Sequence, residues 1–308
     1  MIRKIKDKFR EVCEGIGPRL LPRGFLGCAR QSMAVMLRRE IKATTRGVLQ
    51  YDVKRINLMA VDNCTNTCKY CSTSSPFAKK QCYPASAFFP WLDLLVREQV
   101  EFENIAITGG EPFLHDDIFS FLSDLKKRYS KKKIGITTNF FWANEDAVRQ
   151  TALRMDSLLD TMLISVYPNV VERIGGMQRF NELIDLLRTL CPKVNIAISG
   201  ESYAYMIGWK LHKNKRKVRN YCVTSDCYIL RADGKISHCS IGVGLENRPE
   251  YKSIIDGSKE RLFDLKNGIA GFLSWTHKYP FDLCYHCTFW RKSIVKWQDM
   301  RVKSLSTQ

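Results

Sequence analysis

The apolar run Ile56-Asn57-Leu58-Met59-Ala60-Val61 leads through Asp62-Asn63 into Cys64, Cys68 and Cys71, which stand in the spacing CxxxCxxC. A strand that ends in three thiols on a short loop constrains the rest of the chain. The strand must be buried, and the loop must stay at its rim. Three thiolates so placed can each hold one iron of a four-iron cluster and leave the fourth iron open, whereas ferredoxin-type sites supply four cysteines. A structural zinc ion is the competing reading. Such sites close with a fourth Cys or His at short range, and no further cysteine follows before Cys82.

From about Lys54 strands and helices alternate, the pattern of βαβ units and a parallel sheet. The pattern predicts strands near 55–61, 104–108, 133–138, 160–166 and 193–198, with a sixth between 205 and 225. It predicts helices over 85–100, opened by Pro84 and Ser86; over 116–129, opened by Asp116; over 144–155, opened by Asn144; and over 177–190, entered through Gly175-Gly176. His115, Asp116 and Asp117 read as caps of the second helix rather than as acid-base groups. Residues 1–50 form an N-terminal extension in this reading. Ile2, Ile5, Phe9 and Val12 fall at helical spacing among basic residues. Docking of that helix on its own domain is favoured over peripheral contact with a membrane. The expected divisions are 1–50, a catalytic unit over 51–215, and a separate cysteine-rich module over 216–308.

The 49 Lys and Arg outnumber the 31 Asp and Glu, for a net charge of +18. Basicity on this scale calls for an anionic partner, but does not choose among a phosphorylated substrate, a membrane surface and a nucleic acid. Charge is the only feature favouring RNA, so a nucleic-acid partner is disfavoured. No apolar run is long enough to span a bilayer, and MIRKIKDKFR lacks the apolar stretch of a signal peptide. The 12 cysteines fall in clusters of ligand spacing. Metal explains them better than disulfides, and a cytoplasmic location is expected.

The run Asn104-Ile105-Ala106-Ile107-Thr108 enters Gly109-Gly110-Glu111-Pro112. Together with the cysteine triplet it resembles the radical S-adenosylmethionine (SAM) superfamily. The resemblance implies an α/β fold, a partial (β/α)6 barrel with a small cysteine-rich C-terminal extension. It also implies a 4Fe-4S cluster on Cys64, Cys68 and Cys71 whose open iron binds SAM. Tyr70 would lie against the adenine, and Gly109, Gly110 and Pro112 would shape the turn that meets the methionine. Glu111 would accept a hydrogen bond from its ammonium group. Thr138, Asn139 and Ser165 at strand ends would contact the ribose and carboxylate, and the strand carrying Ile196 and Ile198 would meet the adenine through its backbone. The shared reaction is one-electron cleavage of SAM followed by hydrogen abstraction from a substrate, with flavodoxin or ferredoxin as electron donor.

Beyond the barrel, Cys222, Cys227, Cys239, Cys284 and Cys287 resemble the shortened "twitch" form of the SPASM extension, which holds an auxiliary 4Fe-4S cluster. A zinc knuckle is the alternative. Residues 228–238 read as a hairpin around Asp233-Gly234. Pairing Ala232 with Lys235 puts Cys239 and Cys227 on opposite faces, which favours Cys222, Cys239, Cys284 and Cys287 as ligands and leaves Cys227 spare. A spare thiol suits epimerases of similar architecture, in which a cysteine returns hydrogen to the substrate. Tyr167 stands where many family members have Asp-Gly and is the second catalytic candidate. His286 is expected to orient its neighbours.

Peptide-maturing relatives in that group carry a recognition domain of a helix-and-strand pattern, and the Gly- and Pro-broken first 50 residues do not fit one. The favoured substrate is therefore a small, polar, carbohydrate-like molecule, with or without the phosphate that the net charge would suit, to be epimerised or oxidised. A peptide epimerase or maturase is the enzymatic alternative. A non-catalytic iron-sulfur scaffold is a third reading, but it has no use for the Gly-Gly-Glu-Pro turn.

Overall fold

The computed structural model describes residues 53–199, 205–216, 227–276, 278, 280–288 and 293–300. The N-terminal extension and Cys222 lie outside the described residues. The strands β1 (Arg55–Val61), β2 (Asn104–Gly109), β3 (Lys133–Thr138), β4 (Thr161–Ser165) and β5 (Asn195–Ser199) pair in parallel and in sequence order. Between them run the helices α1 (Phe89–Arg97), α2 (Ile118–Arg128), α3 (Glu145–Leu158), α4 (Pro168–Ile174) and α5 (Met177–Leu190).

Local chemistry sets these boundaries. Asn144 opens α3 by accepting the Ala147 N–H at 2.9 Å. The cap of α2 is Asp117, one residue later than expected, because the His115 ring accepts the Asp117 N–H and the Asp117 carboxylate then takes the Ser120 N–H at 3.1 Å. Pro168 starts α4 and Gly175, at φ 106°, ends it. The sequence reading placed no helix between β4 and the 177–190 helix. Alternate strand residues such as Ile56, Leu58, Ile105 and Ile136 are buried against Leu92, Leu122 and Leu187 from the helices. Each such burial is worth about 1.5–3 kcal/mol.

The sixth parallel position is filled differently from the expectation. Within 205–225, β6 (Tyr205–Gly208) pairs antiparallel with β10 (Ser293–Lys296) in a small sheet of its own. The free edge of β1 is taken instead by β7 (Cys227–Leu230), in parallel, and the sheet continues through β8 (Lys235–Ser237) and β9 (Phe263–Asp264). Asn57, nearly buried in β1, donates to the Tyr228 carbonyl at 3.1 Å and helps to close this seam. After β8 come α6 (Ser240–Val243), α7 (Lys252–Asp256), α8 (Ile269–Thr276) and α9 (Asp282–His286). Phe272 and Trp275 of α8 and Phe281 share the core of the barrel strands. The described part of the region after 216 is thus joined to the barrel strands by a common sheet and core. A central strand with one bare edge would leave its backbone groups unpaired, and β7 supplies the partners.

The hairpin register also differs. Ile229 faces Ser237, Leu230 faces Ile236, and the Arg231 N–H reaches the Lys235 carbonyl at 2.9 Å. The loop therefore has three residues, Ala232-Asp233-Gly234, with Gly234 at φ 85° in the left-handed region. The Trp91 ring packs where a Cβ on Gly234 would stand, and its indole N–H donates to the Ala232 carbonyl at 3.1 Å. The pairing of Ala232 with Lys235 is corrected, and the parity argument that set Cys227 apart from Cys239 goes with it.

Candidate active site

The C-terminal ends of β1 to β4 open onto a cavity of about 330 Å³. It is lined by Cys64, Cys68, Cys71, Tyr70, Gly109, Gly110, Thr138, Asn139, Ser165 and Tyr167, all singled out by the sequence, and also by Asn66, Ser72, Thr73, Thr108 and Thr137. Asn66 was legible in principle, since it lies inside the cysteine loop. Its side chain is buried, and its Nδ2 has no hydrogen-bond partner among the described residues. Glu111, Pro112, Ile196 and Ile198 do not line the cavity; the two isoleucines pack into the core on the helix side of β5.

Glu111 is fully buried behind the wall. It accepts the Thr138 hydroxyl at 2.7 Å, the Asn139 N–H at 2.6 Å and the Phe113 N–H at 3.1 Å. A carboxylate has about four acceptor positions, so about one is left for a further donor. Burial pushes its pKa up from 4.5 to about 7, against the lowering effect of these hydrogen bonds. Thr138 and Asn139 are thereby fixed, and the Asn139 amide reaches Thr65 at 2.9 Å and the Cys64 sulfur at 3.6 Å.

The two glycines join the turn after β2 to the cysteine loop. The Gly110 N–H bonds to the Val61 carbonyl at 2.7 Å and the Glu111 N–H to the Asn63 carbonyl at 2.9 Å. A Cβ on Gly109 would overlap the Val61 carbonyl, and one on Gly110 the Asn63 carbonyl. The close approach that requires glycine here is therefore made by the protein's own backbone.

Burial pushes the Cys64 and Cys68 thiols up to about 12. Cys64 nevertheless accepts the Asn66 N–H at 3.4 Å, Cys68 accepts the Trp297 indole N–H at 3.1 Å, and Cys71 lies 3.3 Å from the Thr73 hydroxyl. Donors aimed at sulfur fit thiolate ligands of an iron-sulfur cluster, whose properties such contacts tune. Among the described residues no three His, Cys, Asp or Glu side chains converge as a single ion would require. Three thiols spread around one cavity suit a multi-iron group in which each thiolate takes its own iron. The donor set therefore fits a 4Fe-4S cluster better than zinc.

Tyr167 is half-buried in the cavity wall. Burial, then Cys68, Cys71 and Cys64, raise its phenol well above the usual range. It suits a hydroxyl donor rather than a base. Ser165 accepts the Ser199 hydroxyl at 3.2 Å, which ties the end of β4 to that of β5.

Cys227 is placed away from this cavity. It stands opposite Arg55 at the start of β1, whereas Cys64 follows the other end of that strand. Seven residues of strand separate the two levels by about 20 Å. A hydrogen donor must lie beside the substrate at the C-terminal rim, and the backbone position of Cys227 at the opposite end of β7 weighs against that role. Cys239, Leu283 and Cys287 belong to one apolar cluster, and the Cys284 N–H bonds to the carbonyl of Phe281, whose ring lies 4.1 Å from that of His238. His286 Nδ1 is 2.7 Å from the His212 carbonyl, which fixes its ring.

Residues 59–200 match the model of the Radical SAM superfamily. The GTP 3′,8-cyclase of Sulfurimonas denitrificans is 25% identical over 152 residues, covering 48% of this chain and 39% of that protein. That of Campylobacter lari is 27% identical over 150 residues, covering 47% and 44%. The chain thus spans less than half the length of the curated relatives it matches. A solved structure of BtrN in complex with AdoMet and 2-DOIA is similar at 15% identity, over 76% of this chain and 92% of BtrN, with a TM-score of 0.48. The matched span contains the cysteine loop, the Gly-Gly-Glu-Pro turn and the strands whose ends form the cavity. Residues 59–200 of this chain are therefore a radical SAM domain.

Proposed function

We propose that the chain is a radical SAM enzyme that reductively cleaves SAM and takes hydrogen from a small, polar, carbohydrate-like substrate, leading to epimerisation or oxidation. The observation that carries this reading is the cavity at the C-terminal ends of parallel strands, where three thiols, two glycines and a row of hydroxyl and amide groups meet. In α/β barrels that end is where catalysis occurs. When bound, the cluster and SAM would supply the electron and the hydrogen-abstracting group. Cys64, Cys68 and Cys71 would hold the iron, while Glu111 would keep Thr138 and Asn139 in place and offer its remaining acceptor position to the ammonium group.

The substrate class draws support from a second cavity, of about 110 Å³, at the same end of the sheet. Asp62, Tyr83, Arg231, Asp233, Glu246 and Asn247 line it, with Met59 and Val243 at its base. Gly244 presses against the Thr73 carbonyl, so the 243–247 segment, which lines the second cavity, packs against a residue of the first. Asp62 accepts the Tyr83 hydroxyl at 2.8 Å, and Arg231 pairs with Asp233 and Glu246. Three carboxylates against one guanidinium favour a hydroxylated or aminated substrate over a phosphorylated one. This weighs against the phosphate inferred from net charge, and against a triphosphate such as the GTP named for the relatives.

An auxiliary 4Fe-4S cluster on Cys239, Cys284, Cys287 and one of Cys222 and Cys227 belongs to the same proposal. The test is anaerobic: reduced, reconstituted protein is given SAM with aminated sugars and cyclitols, with phosphorylated analogues, or with peptides, and 5′-deoxyadenosine is measured. Release stimulated by the unphosphorylated polyols is expected. Stimulation by peptides alone would replace this substrate class, and no SAM cleavage under any condition would leave the scaffold reading.

A further inference from the structure

We infer that Trp297 is a positioning residue for the cluster site, setting the electron affinity of the iron held by Cys68. This inference rests on the radical SAM reading of the cysteine loop. The indole N–H of Trp297 is 3.1 Å from the Cys68 sulfur, shorter than the 3.4 Å and 3.6 Å contacts that Cys64 receives. An indole nitrogen can only donate, so the contact has one polarity in every state of the site.

The chain around Trp297 is held against the cysteine loop at several points. Cys68 and Asp299 form an antiparallel bridge. The Lys69 N–H bonds to the Gln298 carbonyl at 3.1 Å and the Met300 N–H to the Thr67 carbonyl at 3.0 Å. Side chains add Thr67 to Asp299, and Lys69 to Gln298 at 3.0 Å. Just before Trp297, β10 is paired with β6. Just after β6, Trp209 donates its indole N–H to the Tyr70 carbonyl at 3.1 Å. Two indoles thus grip one loop from opposite ends of the β6–β10 ladder, one through a thiol and the other through a carbonyl. The Trp297 ring also lies 6.2 Å from that of Tyr167 in the cavity wall.

A donor to a ligating thiolate stabilises the more negative, reduced state of a cluster and so raises its reduction potential. The 293–300 strap therefore does more than cover the loop. It supplies a fixed donor to one of the three ligands.

The test compares full-length wild type with Trp297→Phe, which keeps an aromatic ring and loses the N–H, and with Gln298→Ala, which removes an exposed strap contact. EPR-monitored redox titration should show the reduced-to-oxidised ratio at a fixed poise falling about three- to tenfold in Trp297→Phe, a downward shift of about 30–60 mV for one electron. Gln298→Ala should match wild type. Hydrogen exchange of the Lys69 and Met300 amides, followed in iron-free protein, reports whether the strap stays in place. An unchanged potential with these amides still protected would reduce Trp297 to a packing role and overturn the inference. Should the phenylalanine variant release the strap, Trp297→His restores a ring N–H: recovery of the potential supports the inference, and a potential that stays low overturns it. Wild-type protein that takes up no iron would refute the cluster reading itself, while the iron-free amide protection would still report the strap.

Discussion

The backbone N–H of Asn139 donates to Glu111 Oε2 across 2.6 Å, tying the end of β3 to the turn after β2. Glu111→Ala strands this N–H and the Thr138 hydroxyl in a dry interior. Each buried unsatisfied group costs about 1–3 kcal/mol, so a clear fall in thermal stability should accompany weaker SAM binding by calorimetry. An unchanged melting temperature would remove Glu111 from its structural role.

The same carboxyl makes stability depend on pH. Its pKa rises from 4.5 to about 7 on folding, so the folded state keeps a proton that the unfolded chain loses. The stabilisation is full below about 4.5 and is lost as pH rises through about 7, on the order of 3 kcal/mol in total. Urea unfolding of iron-free protein between pH 5 and 8 should show this decline in wild type but not in Glu111→Gln. SAM affinity should move the other way and rise with pH, because its ammonium group selects the ionised carboxylate.

Gly110→Ala would drive a methyl group into the Asn63 carbonyl. A displacement of this kind costs about 1–3 kcal/mol and shifts the loop that carries Cys64. Reduced iron retention is the expected outcome, measured by iron content after gel filtration. Gly268→Ala serves as the control: its φ of 85° is strained for alanine, but its Cβ direction is open and it lies away from the cysteines.

Loading of the site should consume base. Cys64 and Cys68 are protonated at neutral pH in the iron-free protein, with pKa values of about 12, and must lose their protons to bind iron. Iron uptake at limiting sulfide should therefore be more complete at pH 8.5 than at pH 7 and should release acid into an unbuffered solution. Uptake independent of pH would contradict it.

The auxiliary site is decided by counting iron. Full reconstitution should give about eight irons per chain, falling to about four when Cys64, Cys68 and Cys71 are replaced by Ala. Continuing the observed hairpin register by two residues brings position 227 opposite position 239. Cys227→Ala is accordingly expected to lose the auxiliary four irons and Cys222→Ala to keep them. The reverse result would restore the original assignment, and zinc in place of iron would remove the second cluster.

The five parallel strands, four of the five helices between them and most of the cavity lining could be read from the sequence, because each rests on local periodicity or on a motif at a strand end. What escaped depends on distant partners. The choice of β7 over the 205–225 region as neighbour of β1 follows from which edge was left bare. The hairpin register turned on one residue of loop length, and the preference of Asp-Gly for two-residue turns favoured the wrong alternative at Asp233-Gly234. The strap could not be foreseen, since nothing in Trp297-Gln298-Asp299-Met300 taken alone announces that it will lie on Thr67-Cys68-Lys69.

β1 is closed on one side by β2, which follows it closely in sequence, and on the other by β7, with Asn57 and Tyr228 separated by 171 residues. Contacts across such a span form late, because the intervening chain must be ordered first. On a ribosome, the strand bearing the cysteine loop therefore waits with one edge open until residue 230 has emerged, while β2 to β5 are already in hand. Nascent chains halted before and after that point should differ sharply in their protease resistance, and an iron donor acting on the earlier species would meet the three thiols on an unfinished sheet.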